Sequence, residues 1–200
     1  MAGAPAVCAH AAIVVAVGLA PRGQARKGHS SRALEDCNGR PLARVLAERV
    51  LETAPQHTLV CVPADDHTAV EVVLRGLRLR CLPIPGGGLG PALAAALKAL
   101  PRGSDGALVL LCDPALAQAR THLARLLDTW RADPHDPVAT AESDGPGLPA
   151  VLPREHWPTL IEQRDVGPRA LLRDGAQRVA TVAWATPTAA DGADAALQSA

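Results

Sequence analysis

Ala11-Ala12-Ile13-Val14-Val15-Ala16-Val17, running on into Gly18-Leu19-Ala20-Pro21-Arg22-Gly23-Gln24-Ala25-Arg26-Lys27-Gly28, is the stretch from which the fold is read. Its first half is short, apolar and rich in β-branched residues, with no polar position to turn toward water. That pattern suits a strand buried on both faces of a parallel sheet better than a surface helix. Its second half is glycine-bearing and basic, continues to Arg32, and holds no aromatic ring. A loop of backbone amides and cations directly after a buried strand is suited to a phosphate group.

Working outward, strand-like and helix-like stretches alternate. Leu42, Val45, Leu46, Val50 and Leu51 fall at helical spacing, which predicts a helix over Pro41 to Ala54 with Pro41 in its first turn. Thr58 to Val62 reads as a strand, then a helix to about Arg75 that Asp65 or Asp66 would cap, then a strand over Leu79 to Ile84. Pro85 to Pro91 is a glycine-rich loop before a helix over Ala92 to Leu100. Gly106 to Leu111 is a strand ending at Cys112-Asp113-Pro114, and a helix follows through Leu123, Leu126, Leu127 and Trp130. This β-α order predicts an α/β fold, a doubly wound, mostly parallel sheet with helices on both faces. Beyond Arg131 the expected elements are shorter: strands near Val138 to Ala141, Ala150 to Leu152 and Arg178 to Trp184, a loop over Ser143 to Pro149, and helices over Glu155 to Glu162 and Val166 to Asp174.

Two hundred residues, 48% of them hydrophobic, are enough for one core, so residues 1–200 are expected to form a single domain with flexible ends at 1–10 and 188–200. Twenty basic residues balance twenty acidic ones, which argues against a nucleic-acid surface or a polybasic membrane contact. Only Trp130, Trp157 and Trp184 supply large aromatic rings, so stacking platforms for bases are not expected. No apolar run reaches the roughly 18 to 20 residues that cross a bilayer. Ala9 to Ala20 imitates a signal-peptide core, but no Lys or Arg precedes Arg22. Cys8, Cys37, Cys61, Cys81 and Cys112 are odd in number and never form a Cys-x-x-Cys pair, which fits a reducing cytoplasm rather than a disulfide framework or zinc site.

Gly23 to Ser30 falls short of a phosphate loop of the ATPase type because His29 stands where the lysine belongs, and the glycines at Gly86 to Gly90 lack dinucleotide-fold spacing. Asp113 has two readings. A carboxylate just past a buried strand faces the crevice where α/β sheets bind ligands, where it would hold Mg²⁺ with phosphate oxygens. Asp followed by Pro is equally what a helix cap and first helical residue look like. The seven histidines show no metal-ligand spacing.

Together these stretches resemble the molybdenum cofactor nucleotidyltransferases, in particular the cytidylyltransferase branch. The family's opening loop, Leu-Ala-Ala-Gly-x-Ser-x-Arg-Met-Gly-x-x-Lys, is similar to Val15 through Lys27, with Gly18, Arg22 and Lys27 at the family spacing, and Gly39-Arg40-Pro41-Leu42 is similar to the Gly-x-Pro-Leu that follows. Gly88-Leu89-Gly90 and Val109 to Asp113 resemble the later glycine segment and the metal strand. The most specific match is Leu148-Pro149-Ala150-Val151-Leu152-Pro153, Trp157-Pro158 and Arg164-Asp165-Val166-Gly167-Pro168-Arg169-Ala170-Leu171-Leu172. Val17, Ala20, Gln24, Pro91 and Ala92 depart from the family pattern, one residue is missing between Asp113 and its proline, and Arg32 competes with Lys27 for the place of the family lysine.

The resemblance implies a Rossmann-like nucleotidyltransferase fold and transfer of CMP from CTP to a molybdopterin-type cofactor, with release of pyrophosphate. It places Arg22 and Lys27 on the phosphates as catalytic groups, and Ala16, Val17, Gly18, Gly88 and Gly90 around the nucleotide. Asp113 would hold Mg²⁺, and Asp165, Gly167 and Arg169 would line the acceptor side. A molybdoenzyme or its chaperone would be a further partner. Two other readings stay open: guanylyl transfer from GTP, and a catalytically impaired relative that binds the cofactor as a carrier or chaperone.

Overall fold

The computed structural model describes residues 8–16, 32–86, 88–163, 167–173 and 178–184. The opening apolar run forms β1 (His10–Val15), and every one of its residues is buried. A small antiparallel pair, β2 (Asp36–Cys37) and β3 (Arg40–Pro41), precedes α1 (Leu42–Leu51). Then come β4 (His57–Pro63), α2 (His67–Val73), β5 (Arg80–Ile84), α3 (Leu89–Ala99), β6 (Gly106–Leu111) and α4 (Arg120–Ala132). The remainder is β7 (Val138–Glu142), β8 (Gly145–Pro153), α5 (Trp157–Glu162), α6 (Pro168–Arg173) and β9 (Ala180–Ala183).

Among the described residues the main sheet has seven strands in the order β5-β4-β1-β6-β8-β7-β9. β5, β4, β1 and β6 are mutually parallel, and β8 runs antiparallel to both β6 and β7, so β7 and β9 again point the same way as β1. The expected mostly parallel sheet is therefore present, with one reversed strand inside it. Alternate residues of the central strands serve two cores, as the strand period of two requires. Ala12, Val14, Val60, Leu108 and Leu110 pack with α1, α2 and α4. Ala11, Ile13, Leu59, Cys61 and Val109 pack with α3, α5 and α6. Helices thus cover both faces.

Several elements differ from the reading of the sequence. Pro41 closes β3 and stands just before α1 rather than opening it. Asp66 occupies the cap position of α2 without a side-chain capping bond. Helix α3 begins at Leu89, because Pro91 is accommodated in a first helical turn where no N–H is needed. β8 begins at Gly145 and includes most of the expected loop. At the start of the described residues the Ala9 N–H donates to Asp105 Oδ2 at 2.8 Å, and the Asp105 N–H donates to the Ala9 carbonyl at 2.7 Å. Residues 1–7 and 188–200 lie outside the described residues.

Candidate active site at the carboxyl edge of the sheet

The chain runs from β1 outward through β4 to β5, then crosses back with α3 to place β6 on the other side of β1. The strand order therefore reverses between β1 and β6, and ligands of open α/β sheets bind outside the carboxyl ends at such a point. Ala16 follows β1 there and Asp113 follows β6. The Ala16 N–H donates to the Cys61 carbonyl at 2.8 Å and its side chain is buried. Val17, Gly18, Arg22, Lys27 and Asp165 lie outside the described residues.

Asp113 satisfies the capping reading directly. In an extended backbone conformation its Oδ1 accepts the Ala115 N–H at 2.9 Å, and Pro114 opens a 3-10 turn that runs to Gln118. The other carboxylate oxygen, Oδ2, lies 3.8 Å from the Arg32 guanidinium, with both side chains about half exposed. Arg32 also lies 3.8 Å from Glu35. One carboxylate oxygen caps while the other, beside Arg32, makes no capping bond, so the cap does not use up the carboxylate. Its neighbour Cys112 is buried, which pushes the thiol up to about 12 and leaves it a core residue rather than a nucleophile.

Gly88 precedes α3 with φ of 80° and ψ of −162°, a conformation that favours glycine. Gly167, at φ +73°, meets it from the other half of the chain: a Cβ built on Gly167 would lie 3.7 Å from Gly90 Cα. Two glycine segments far apart in sequence are thus brought together at the start of α3. Arg169, two residues on, extends its guanidinium to Glu142 Oε2 at 3.0 Å. Because β7 runs parallel to β1, Glu142 stands at the same carboxyl edge as Asp113, with β8 between them. Beside this edge a cavity of about 520 Å³ is lined by Asp36, Asn38, Pro114, Gln118 and Trp184 among others. The Trp184 ring packs at 4.5 Å on His122, whose Nε2 is 2.9 Å from the Thr140 hydroxyl.

Glu142, Arg173 and Gly147 are absent from the site as read from the sequence. Among the described residues no cluster of three or more His, Cys, Asp or Glu groups would hold a metal ion unaided. A single carboxylate with nucleotide phosphates is nonetheless an ordinary Mg²⁺ environment, and the outward oxygen of Asp113 fits it. No helix among the described residues is long and apolar enough to cross a membrane.

The model of the MobA-like NTP transferase domain family matches residues 12–181, and the chain belongs to that family of nucleotidyltransferases. Among solved structures, Rv0371c from Mycobacterium tuberculosis H37Rv is similar with a TM-score of 0.72 at 16% identity, covering 95% of this chain and 98% of that one. Its manganese complex is similar with a TM-score of 0.67 at 18% identity, covering 94% and 98%. The 4-diphosphocytidyl-2C-methyl-D-erythritol synthase of Anaerococcus prevotii DSM 20548 has a TM-score of 0.68 at 15% identity, covering 96% of each chain. Identities this low speak to the fold, which is shared almost end to end. A search of curated protein sequences found no match.

Proposed function

We propose that this MobA-like chain transfers CMP from CTP to the phosphate of a molybdopterin-type cofactor in a Mg²⁺-dependent reaction. An acceptor phosphate oxygen attacks the α-phosphorus, a new P–O bond forms, the bond to the bridging oxygen breaks, and pyrophosphate leaves. The observation that carries the reading is that three chain segments end or begin at the carboxyl edge of the sheet, two of them in contact. Asp113 follows β6, Gly88 to Gly90 open α3, and Gly167 approaches so closely that a Cβ on it would lie 3.7 Å from Gly90 Cα.

Each segment has a task. The amides at the start of α3 offer donors and a positive dipole end to nucleotide phosphates. Arg22 and Lys27, from the basic loop, neutralise the triphosphate and the charge that develops on the leaving pyrophosphate. Asp113 Oδ2 would hold Mg²⁺, which would supply charge neutralisation to the triphosphate. Asp165, Gly167 and Arg169 face the acceptor. Catalysis is then a matter of positioning and electrostatics.

Purified protein with Mg²⁺, CTP and molybdopterin is expected to release pyrophosphate faster than with GTP, and Asp113→Ala to abolish it. Release from GTP alone would move the assignment to guanylyl transfer. Nucleotide or molybdopterin binding without any pyrophosphate would favour a carrier, the reading that Val17, Ala20 and Gln24 in the altered loop support.

A further inference from the structure

β7 and β8 form a hairpin closed by Ser143 and Asp144, in which Glu142 pairs with Gly145 and Thr140 with Gly147. Gly147 sits in a regular strand and does not have the left-handed backbone that would itself call for glycine. What a side chain at this position would displace is the Glu142 carboxylate. A Cβ built on Gly147 would lie 2.0 Å from Glu142 Cδ and 2.1 and 2.4 Å from its carboxylate oxygens. The missing side chain is the slot in which the carboxylate rests.

From that slot Glu142 reaches α6. Its Oε2 accepts from Arg169 Nη2 at 3.0 Å and lies 3.8 Å from Arg173 Nη2. Arg173 has further anchors, an ion pair to Asp144 at 3.1 Å and a hydrogen bond from its Nε to the Pro146 carbonyl at 3.2 Å. Holding α6 to the hairpin therefore does not depend on Glu142. Among the described residues the hydrogen-bonded partner of Arg169 is Glu142; the Arg169 charge also helps to hold the Asp144 carboxyl below its usual range, and the Arg169 side chain remains half exposed at the carboxyl edge. A guanidinium carries five N–H donors in a planar fork, so fixing one edge on a carboxylate leaves the others aimed and free.

We propose that Glu142 is a positioning residue, seated by Gly147, that holds Arg169 with its free N–H groups turned toward a phosphate monoester of the acceptor. The claim rests on the functional reading above for the identity of the acceptor, though the geometry that carries it belongs to the hairpin. Glu142 does not touch substrate; it acts through Arg169, and Gly147 acts through Glu142.

The test compares Glu142→Ala, Glu142→Gln and Gly147→Ala by steady-state kinetics with CTP, Mg²⁺ and molybdopterin. Loss of one charge-assisted bond that orients the guanidinium is expected to raise the acceptor KM by about tenfold, with kcat within about twofold. The Kd for Mg·CTP should not move, and Glu142→Gln, which keeps an acceptor oxygen, should be intermediate. The double variant Glu142→Ala with Gly147→Ala should be no worse than Glu142→Ala alone. An unchanged acceptor KM, an equal change in nucleotide Kd, or additive losses would overturn the proposal. A second readout needs no turnover: phenylglyoxal modification of Arg169, followed by peptide mass spectrometry, with and without inorganic phosphate. Phosphate should protect Arg169 in the wild type and fail to do so in Glu142→Ala and Gly147→Ala, while exposed Arg102 reacts equally in all. If the wild type makes no product, the functional reading fails and this readout still decides the positioning claim. Equal protection of Arg169 in all variants would refute it.

Discussion

The proposed function gives Asp113 a metal-holding role beside its cap, one on each oxygen, and substitution can separate them. Oδ1 accepts the Ala115 N–H at 2.9 Å as a cap, and Oδ2 lies 3.8 Å from the Arg32 guanidinium. Asp113→Asn keeps a cap oxygen and loses the charge, so its apo stability should stay within about 0.5 kcal/mol of the wild type. Asp113→Ala also loses the cap, about 1 kcal/mol, which for a chain of this length lowers Tm by roughly 2 to 4 °C. The Arg32 pair does not blur this comparison. At 3.8 Å between side chains 48% and 47% exposed, it is a solvated surface contact, a class that contributes about 0 to 1 kcal/mol and is screened by salt. Measuring both variants in about 0.3 M salt, where the Debye length falls to roughly 6 Å, reduces the pair further. Mg·CTP at about a hundred times its Kd should add roughly 2.7 kcal/mol to the wild type, or about 5 to 10 °C. Both variants should lose that shift. Thermal melts with Mg²⁺ and CTP, and with EDTA in place of Mg²⁺, read all four quantities. Two results would refute the reasoning: Asn retaining the full nucleotide shift, which makes Asp113 a cap alone, or Asn destabilised in the apo form as much as Ala.

Two predictions concern the frame that carries this edge. Gly106 opens β6 beneath Trp130, and a Cβ there would lie 2.6 Å from the ring. The ring is fully buried and its Nε1 donates to the Pro134 carbonyl at 3.1 Å, so it has no room to withdraw. Overpacking of about 1 to 3 kcal/mol outweighs the 0.4 to 1 kcal/mol that Gly→Ala gains from the unfolded state. Gly106→Ala should therefore lose about 1 to 2 kcal/mol in urea unfolding, and an unchanged midpoint would contradict the packing. His10 is buried at the start of β1 with its Nε2 3.0 Å from the Thr53 hydroxyl; burial, with Arg131 adding, lowers its pKa to about 4. The folded state thus holds it neutral, the unfolded chain binds the extra proton between about pH 6.5 and 4, and stability is lost as pH is lowered through that window. From pH 7.5 to 5 the loss should be about 2 kcal/mol, and His10→Gln should flatten the pH dependence of urea midpoints by most of it. His122, whose pKa burial also lowers, contributes in the same direction and is left in place by that variant. An unaltered slope would show that His10 is already charged in the fold.

The parts of the fold that could be read from residue types are those whose environment is uniform. β1, β4 and β6 are buried on both faces, so an apolar run with β-branched residues is enough, and Gly106 to Leu111 coincides with its expected strand. β8 could not be read in the same way. Gly145-Pro146-Gly147 and Leu148-Pro149 carry turn chemistry, yet they extend the strand because β6 pairs only with Ala150 to Pro153. On that side the first half of β8 is an edge, where proline forfeits no ladder bond. The pairing with β7 also shifts register between Ala139 and Thr140, which absorbs Leu148 and Pro149.

The site divides along the same line. Asp113 could be found in chain order, because a carboxylate after a buried strand is defined by its immediate neighbours. Glu142 is defined by what lies across the hairpin: its slot is the absent side chain of Gly147, five residues on, and its partner Arg169 is 27 residues away. In isolation Glu142 is one more acidic residue before a turn, and Gly147 one more glycine in a loop. The pair acquires meaning once the hairpin register is known, since a slip of one residue would turn one of them to the opposite face of the sheet. A signal for such a pair does exist in the chain: an acidic residue ending a strand, a two-residue turn, and a glycine at a position where the backbone needs none. Beside a following arginine-bearing helix, that combination is the mark that Glu142, Gly147 and Arg169 leave in the chain.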